Sequence, residues 1–139
     1  MSVLEQAERF FAALNAQDFD TVAAMISPSA DVRTPSASFT GGEAFREWSL
    51  PQFRAIPDFI HKICGLTVES DQLLAFEVRA TGTNGCPLTL PSGEVPASGR
   101  PIDIPAAGFL RLEDGLIAEY HLCYDQLEFL TQVGVITSS

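Results

Sequence analysis

The apolar residues of this chain change period near Pro57. Before it they recur three and four positions apart, and after it they alternate with polar ones. Val3, Leu4, Ala7, Phe10, Phe11 and Leu14 share one face of a 3.6-residue repeat and predict an amphipathic helix. Asn15-Ala16-Gln17 interrupts it. Asp18 offers a carboxylate to the free amides of a second helix, which buries Phe19, Val22, Ala23 and Ile26 and ends at Ser27-Pro28-Ser29. Asp31 to Thr34 predicts a short strand closed by Pro35. Thr40-Gly41-Gly42-Glu43 has the spacing of a capping box and opens a third helix with Phe45, Trp48 and Phe53 facing inward. Pro51 has no amide hydrogen to donate and should end or kink that helix.

Alternation then predicts strands. Phe59 to Glu69 and Leu73 to Thr83 are separated by a Ser70-Asp71 turn and form an antiparallel hairpin, with Leu74, Phe76, Val78 and Ala80 on one face. Asn84 to Gly99, rich in Gly, Pro and Ser, reads as a surface loop. Ile102 to Leu112 and Leu116 to Tyr124 flank Asp114-Gly115, a strong tight-hairpin signal. Asp125 and Glu128 form a second capping box, opening a terminal helix through Phe129, Leu130 and Val133 that stops at Gly134. Helices, then strands, then a closing helix describe one α+β domain over residues 1–139: a cone-shaped, curved antiparallel sheet wrapped around the N-terminal helices. A sheet that curls without closing leaves a pocket, the usual seat of a small ligand.

Composition narrows the partners. Of 139 residues 46% are apolar, ten of them Phe, enough to bury a sizeable core. A net charge of −10 with no basic stripe excludes nucleic acid and anionic membranes as natural partners. Cys64, Cys86 and Cys123 are odd in number and lack a CxxC spacing, so neither a disulfide framework nor a zinc site is expected. Two separated histidines give no metal site, and Gly41-Gly42 has neither P-loop nor dinucleotide spacing, so no cofactor is expected. Residues 1–15 read as a helix and not as a signal peptide, and no run approaches the length of a membrane span. A cytoplasmic location is the expectation.

Several segments carry a family resemblance, in order along the chain. Arg9 to Asp20, Ile56-Pro57-Asp58-Phe59, Pro96 to Arg100, Asp114 to Glu119, and Asp125 through Gln132-Val133-Gly134 resemble proteins of the nuclear-transport-factor-2-like fold. The chain is most similar to their SnoaL-like, polyketide-cyclase-like branch. That resemblance implies a pocket for a small apolar molecule, chemistry without a cofactor, and a homodimer joined through the outer face of the sheet. It does not extend to ketosteroid isomerase activity. The base, the Tyr and the second oxyanion donor of those enzymes fall on Thr34, Phe10 and near Gly108, which can supply none of these functions. For the cyclases, which close a ring by an intramolecular aldol reaction, the resemblance places the acid/base on Asp125. Their His on the preceding strand falls near Gly108.

His121 offers a substitute. Glu119, His121, Cys123 and Asp125 share one face of the last strand, so His121 is expected to orient Asp125 or to stabilise an oxyanion. The alternative reading of Asp125 is a helix cap alone. Cys123 lies about 7 Å from its neighbours on that face, beyond hydrogen-bonding reach, and is expected to line the pocket. Phe10, Trp48, Phe53 and Phe109 complete the expected lining. His61, on the outer hairpin, reads as structural or exposed, and Arg33 and Arg54 as surface residues. Three functions follow: a cyclase or isomerase using acid/base chemistry on a small apolar carbonyl compound, a non-catalytic binding or assembly module, and an epoxide hydrolase.

Overall fold

A computed structural model describes residues 1–136. Helix α1 (Val3–Asn15) begins at Ser2, whose hydroxyl accepts from the Glu5 amide while Glu5 reaches back, a complete capping box. Helix α2 (Phe19–Ala24) is capped by Asp18, as its sequence predicts. Ile26 does not join it. With Ser27-Pro28-Ser29 it starts strand β1 (Ile26–Arg33), which pairs with the short β2 (Ser38–Thr40). Helix α3 (Gly42–Ala55) starts from Gly41 at φ 90° without a side-chain cap, so Thr40 is not the capping residue. It also runs through Pro51 to Ala55 instead of stopping there. Packing of Phe45, Phe53 and Ala55 into the core outweighs the one amide bond lost.

Strands β3 (Ile60–Glu69), β4 (Leu73–Thr83), β7 (Pro101–Glu113) and β8 (Leu116–Tyr124) match the alternating segments, and Leu74, Phe76, Val78 and Ala80 are buried. The Asn84–Gly99 segment holds a small hairpin of β5 (Leu88–Leu90) and β6 (Gly93–Val95). It is not wholly superficial: Asn84 and Leu88 are buried, and the Asn84 amide donates to Ser98 and to the Val133 carbonyl, tying the loop to the C-terminal helix α4 (Gln126–Gln132). The main sheet has the order β2-β1-β8-β7-β4-β3. It is mixed, because β1 runs parallel to β8, whereas a wholly antiparallel sheet was expected.

The sheet curves around α1. Phe10 and Phe11 dock into its concave face, Phe10 against Tyr120 and Phe45 at centroid distances of 5.7 and 5.6 Å, and Phe11 against Phe76 at 5.7 Å. Burying two such rings contributes roughly 2–3 kcal/mol each. Gly108 pairs with Leu122 across β7 and β8, and a Cβ there would collide with the His121 carbonyl. No larger residue fits that position while the strands keep this spacing.

Candidate functional site

The concave face of the sheet, α3 and the start of α4 enclose a pocket. Trp48, Ser49, Gln52 and Phe53 come from α3 and form one wall. Phe59 and His61 come from the start of the β3–β4 hairpin; Tyr120, Leu122 and Tyr124 from β8; Phe129 from α4. Its free volume is about 40 Å³, room for a few atoms beyond water size, so a ring-sized ligand must displace the rings at its rim. No Asp, Glu, Lys or Arg is among its lining residues.

Of the expected lining, Trp48 and Phe53 are present. Trp48 is fixed by an indole N–H that donates to Ser36 Oγ at 3.0 Å, linking α3 to the β1–β2 turn. Thr34 is used up in that same turn, its hydroxyl donating to the Ala37 carbonyl at 2.9 Å. Phe10 is fully buried in the core beneath α1 and is not part of the lining.

The other expected residues lie elsewhere, which corrects the face assigned to β8. Glu119, His121 and Cys123 do share a face, but it is the convex one; Tyr120, Leu122 and Tyr124 point inward. Cys123 is exposed. Phe109 is 38% exposed and packs on His121 at 4.7 Å outside the sheet. His121 Nε2 lies 3.3 Å from Asp31 Oδ2 and 3.9 Å from Glu119 Oε2, in a surface charge cluster that also joins Arg33 to Asp31 and Arg111 to Glu119. Asp125 is exposed and caps α4, accepting from the Glu128 amide at 3.0 Å. His121 and Asp125 are therefore not brought together in the pocket. The larger, more aromatic set on β8 was the inward one, because a concave core selects volume.

His61 is the residue sequence reasoning placed wrongly. Alternation puts Phe59, His61 and Ile63 on one face of β3, the signal that locates it. Its ring is boxed by Phe59 at 4.5 Å, Phe53 at 5.8 Å and Phe11 at 6.3 Å. Its backbone, on an edge strand, is satisfied by Asn15 at the end of α1: the Asn15 amide donates to the His61 carbonyl at 2.9 Å, and the His61 N–H donates to Asn15 Oδ1 at 2.7 Å. Its ring nitrogen Nδ1 is buried with no partner. Burial lowers the imidazole to about 4, so it is neutral at physiological pH. Burial also raises Tyr120, with a contribution from Tyr124, and raises Tyr124 itself against the opposing effect of Ser36. The pocket thus presents one neutral imidazole and two protonated phenols. Among the described residues no group of three His, Cys, Asp or Glu could hold a metal ion, and no helix is long and apolar enough to cross a membrane.

A family model for the SnoaL-like domain matches residues 7–120. The chain belongs to that family. The matched span stops short of Asp125. No curated protein shows significant similarity to the chain. Among solved structures, a protein from Jannaschia sp. CCS1 assigned as a SnoaL-like polyketide cyclase is 21% identical with TM-score 0.80, covering 96% of this chain and 92% of that one. IdmH from Streptomyces antibioticus, assigned as a polyketide cyclase, is 22% identical with TM-score 0.76 over 94% of this chain and 96% of its own. AclR from Streptomyces galilaeus, assigned as a hydroxylase, is 16% identical with TM-score 0.78 over 97% and 82%. At these identities the likeness establishes a shared SnoaL-like fold, the nuclear-transport-factor-2-like α+β cone.

Two stability measurements test these placements. Asp125→Ala should cost about 1 kcal/mol in denaturant unfolding, the loss of a cap; an unchanged or higher stability would mean the carboxylate is held at a cost for another purpose. For His61, the unfolded imidazole takes up a proton near 6.5 and the folded one only near 4. The unfolded state therefore binds more protons in that window, and stability falls as pH drops through it, by about 3 kcal/mol in all. His61→Leu should flatten this slope and, by removing an unpartnered buried nitrogen, raise stability at pH 7 by roughly 1 kcal/mol. Equal pH slopes for parent and variant would show that His61 is not buried as described.

Proposed function

We propose that this SnoaL-like protein is a cyclase- or isomerase-type enzyme that works without a cofactor, by acid/base chemistry on a small, largely apolar, polyketide-like carbonyl compound held in the cone pocket. The observation that carries this reading is the lining itself: rings on most sides, no charged side chain, and a neutral imidazole with an unpartnered nitrogen beside two tyrosines. Such a site accepts a neutral ligand and rejects a charged one, since desolvating a charge without a partner is costly. Phenols kept protonated by burial can donate to a carbonyl or developing oxyanion. Asp125 and His121, outside the lining, have no part in this scheme.

A non-catalytic binding module is the second reading, favoured by the absence of a carboxylate from the lining and by the small free volume. Epoxide opening, which needs two Asp and an Arg around one water, finds no such set among the lining residues.

Association through the convex face of the sheet is proposed alongside. Val68, Ala75, Phe109 and His121 form one cross-strand row there. Ile60, Val68 and Leu73 on the same face are 44, 61 and 42% exposed. A second copy laid across this face would remove them from water.

Exchange of α-hydrogens of cyclohexanone and 2-tetralone with heavy water, followed by NMR, tests the chemistry. The protein should accelerate exchange about tenfold or more over buffer, a modest demand for acid/base catalysis, and Ala106→Phe, which fills the pocket, should abolish the acceleration. Binding of these ketones without exchange would select the binding module. Sedimentation tests association: the parent should run as a dimer and Phe109→Glu as a monomer, whereas a monomeric parent at micromolar concentration would remove the proposal.

A further inference from the structure

We propose that His61 is the proton acceptor of this pocket, taking the place of the carboxylate expected at Asp125. The inference rests on the pocket reading above and adds the identity of the group that does the chemistry.

Three observations support it. First, the fold has no need of an imidazole at this position. Asn15 satisfies the backbone of residue 61 through its N–H and C=O, and would do so for any side chain there. What the imidazole adds is a buried nitrogen without a partner, which costs stability and is the kind of group retained at working sites. Second, the ring is held in orientation by Phe11, Phe53 and Phe59, so a ligand meets a fixed acceptor and not a swinging one. Third, His61, Tyr120 and Tyr124 are the titratable residues among the lining. The phenols are protonated and serve as donors; the neutral imidazole carries one proton and keeps its other ring nitrogen as a bare acceptor.

The surroundings also dictate what becomes of the proton. No carboxylate stands in the lining to stabilise an imidazolium. The charged ring is disfavoured, so it holds the proton only in passing: it gives it to an oxygen of the substrate, or exchanges it with solvent where a simple ketone offers no second carbonyl. In an intramolecular aldol step the C–H bond beside one carbonyl breaks, its proton going to the unprotonated ring nitrogen of His61 and its electron pair to the enolate. The enolate carbon bonds to the second carbonyl carbon, whose C=O π pair moves onto oxygen, and that oxygen takes the proton back from the imidazolium. Atoms and charge balance with no co-reactant, and the product is an isomer of the substrate.

Phenol and toluene, nearly the same shape, probe the acceptor. Their binding to the parent and to His61→Leu is measured by NMR from the Trp48 indole N–H and the pocket side chains. Phenol should bind the parent and shift the His61 ring nitrogen, while toluene should bind without that shift. In His61→Leu phenol should weaken by about five- to tenfold, the loss of one hydrogen bond, and toluene should not weaken. The nitrogen shift needs no variant, and His61→Phe repeats the comparison should the leucine variant fold poorly. Phenol and toluene responding alike in both proteins would overturn the assignment of His61 while leaving the pocket intact. Neither compound entering the parent would instead remove the pocket reading, and this proposal with it. Ketone α-hydrogen exchange provides the second readout: it should disappear in His61→Leu, and exchange that persists there would also overturn the proposal.

Discussion

The docking of α1 into the concave face of the sheet is the contact on which the rest of the architecture depends. Phe10 meets Phe11, Phe45 and Tyr120, and Phe11 meets Phe76 and His61, so one turn of helix touches α3, β3, β4 and β8 at once. Edge-to-face contacts of this kind add to the burial of the rings themselves. Without that helix the sheet would have an uncovered apolar face and no reason to curl. With it, the sheet wraps a helix narrower than itself, and the unfilled end becomes the pocket. Truncating Phe10 or Phe11 to Ala belongs to the most expensive class of core change, about 3–5 kcal/mol.

The same helix places the site chemically. Its last residue, Asn15, forms two hydrogen bonds to the edge strand at His61, where the sheet has no further strand to offer. An edge strand left bare would invite pairing with another chain. Closing it with an asparagine leaves the side chain of residue 61 free to be anything that fits between Phe11, Phe53 and Phe59. Fold and site are thus separable at this residue: the backbone bonds do not depend on the side chain, and the ring's contact with Phe11 needs only an apolar surface. A polar ring in that box is tolerated because only its neutral form is buried.

Most of the fold was legible in the sequence because alternation and helical spacing are local and strong. β4 and β8 have the predicted boundaries, and Asp18 and Asp125 cap the helices they were expected to cap. Misreadings arose where tertiary contacts overrule local signals. Pro51 did not end α3, Ser27-Pro28-Ser29 became strand, and β1 found a parallel partner distant in sequence. The site was less legible. Period two says which residues of β8 share a face but not which face is inside. Glu119, His121 and Cys123 were correctly grouped and then assigned to the wrong side, while Asp125, grouped with them, lies past the strand's end and caps α4. Tyr120, Leu122 and Tyr124, with the greater apolar volume, had the stronger claim to the interior. The same test applied to β3 would have turned His61 inward with Phe59 and Ile63.

What limits the ligand is the α3 wall. Trp48 and Phe53 both stand in it, and between them Pro51 withholds the amide that would have bonded to the Glu47 carbonyl. The wall is secured at one end by the Trp48 indole bond to Ser36 and at the other by the packing of Phe53 on Phe19 and Phe59. Its middle therefore lacks one backbone hydrogen bond. A cavity of about 40 Å³ cannot take a ring unless something yields, and the β-sheet side, cross-bonded from β3 to β8, is the stiffer boundary. Entry of a cyclic ligand is thus paid for in α3, and its selectivity is set by how far Trp48 and Phe53 can part without losing their anchors.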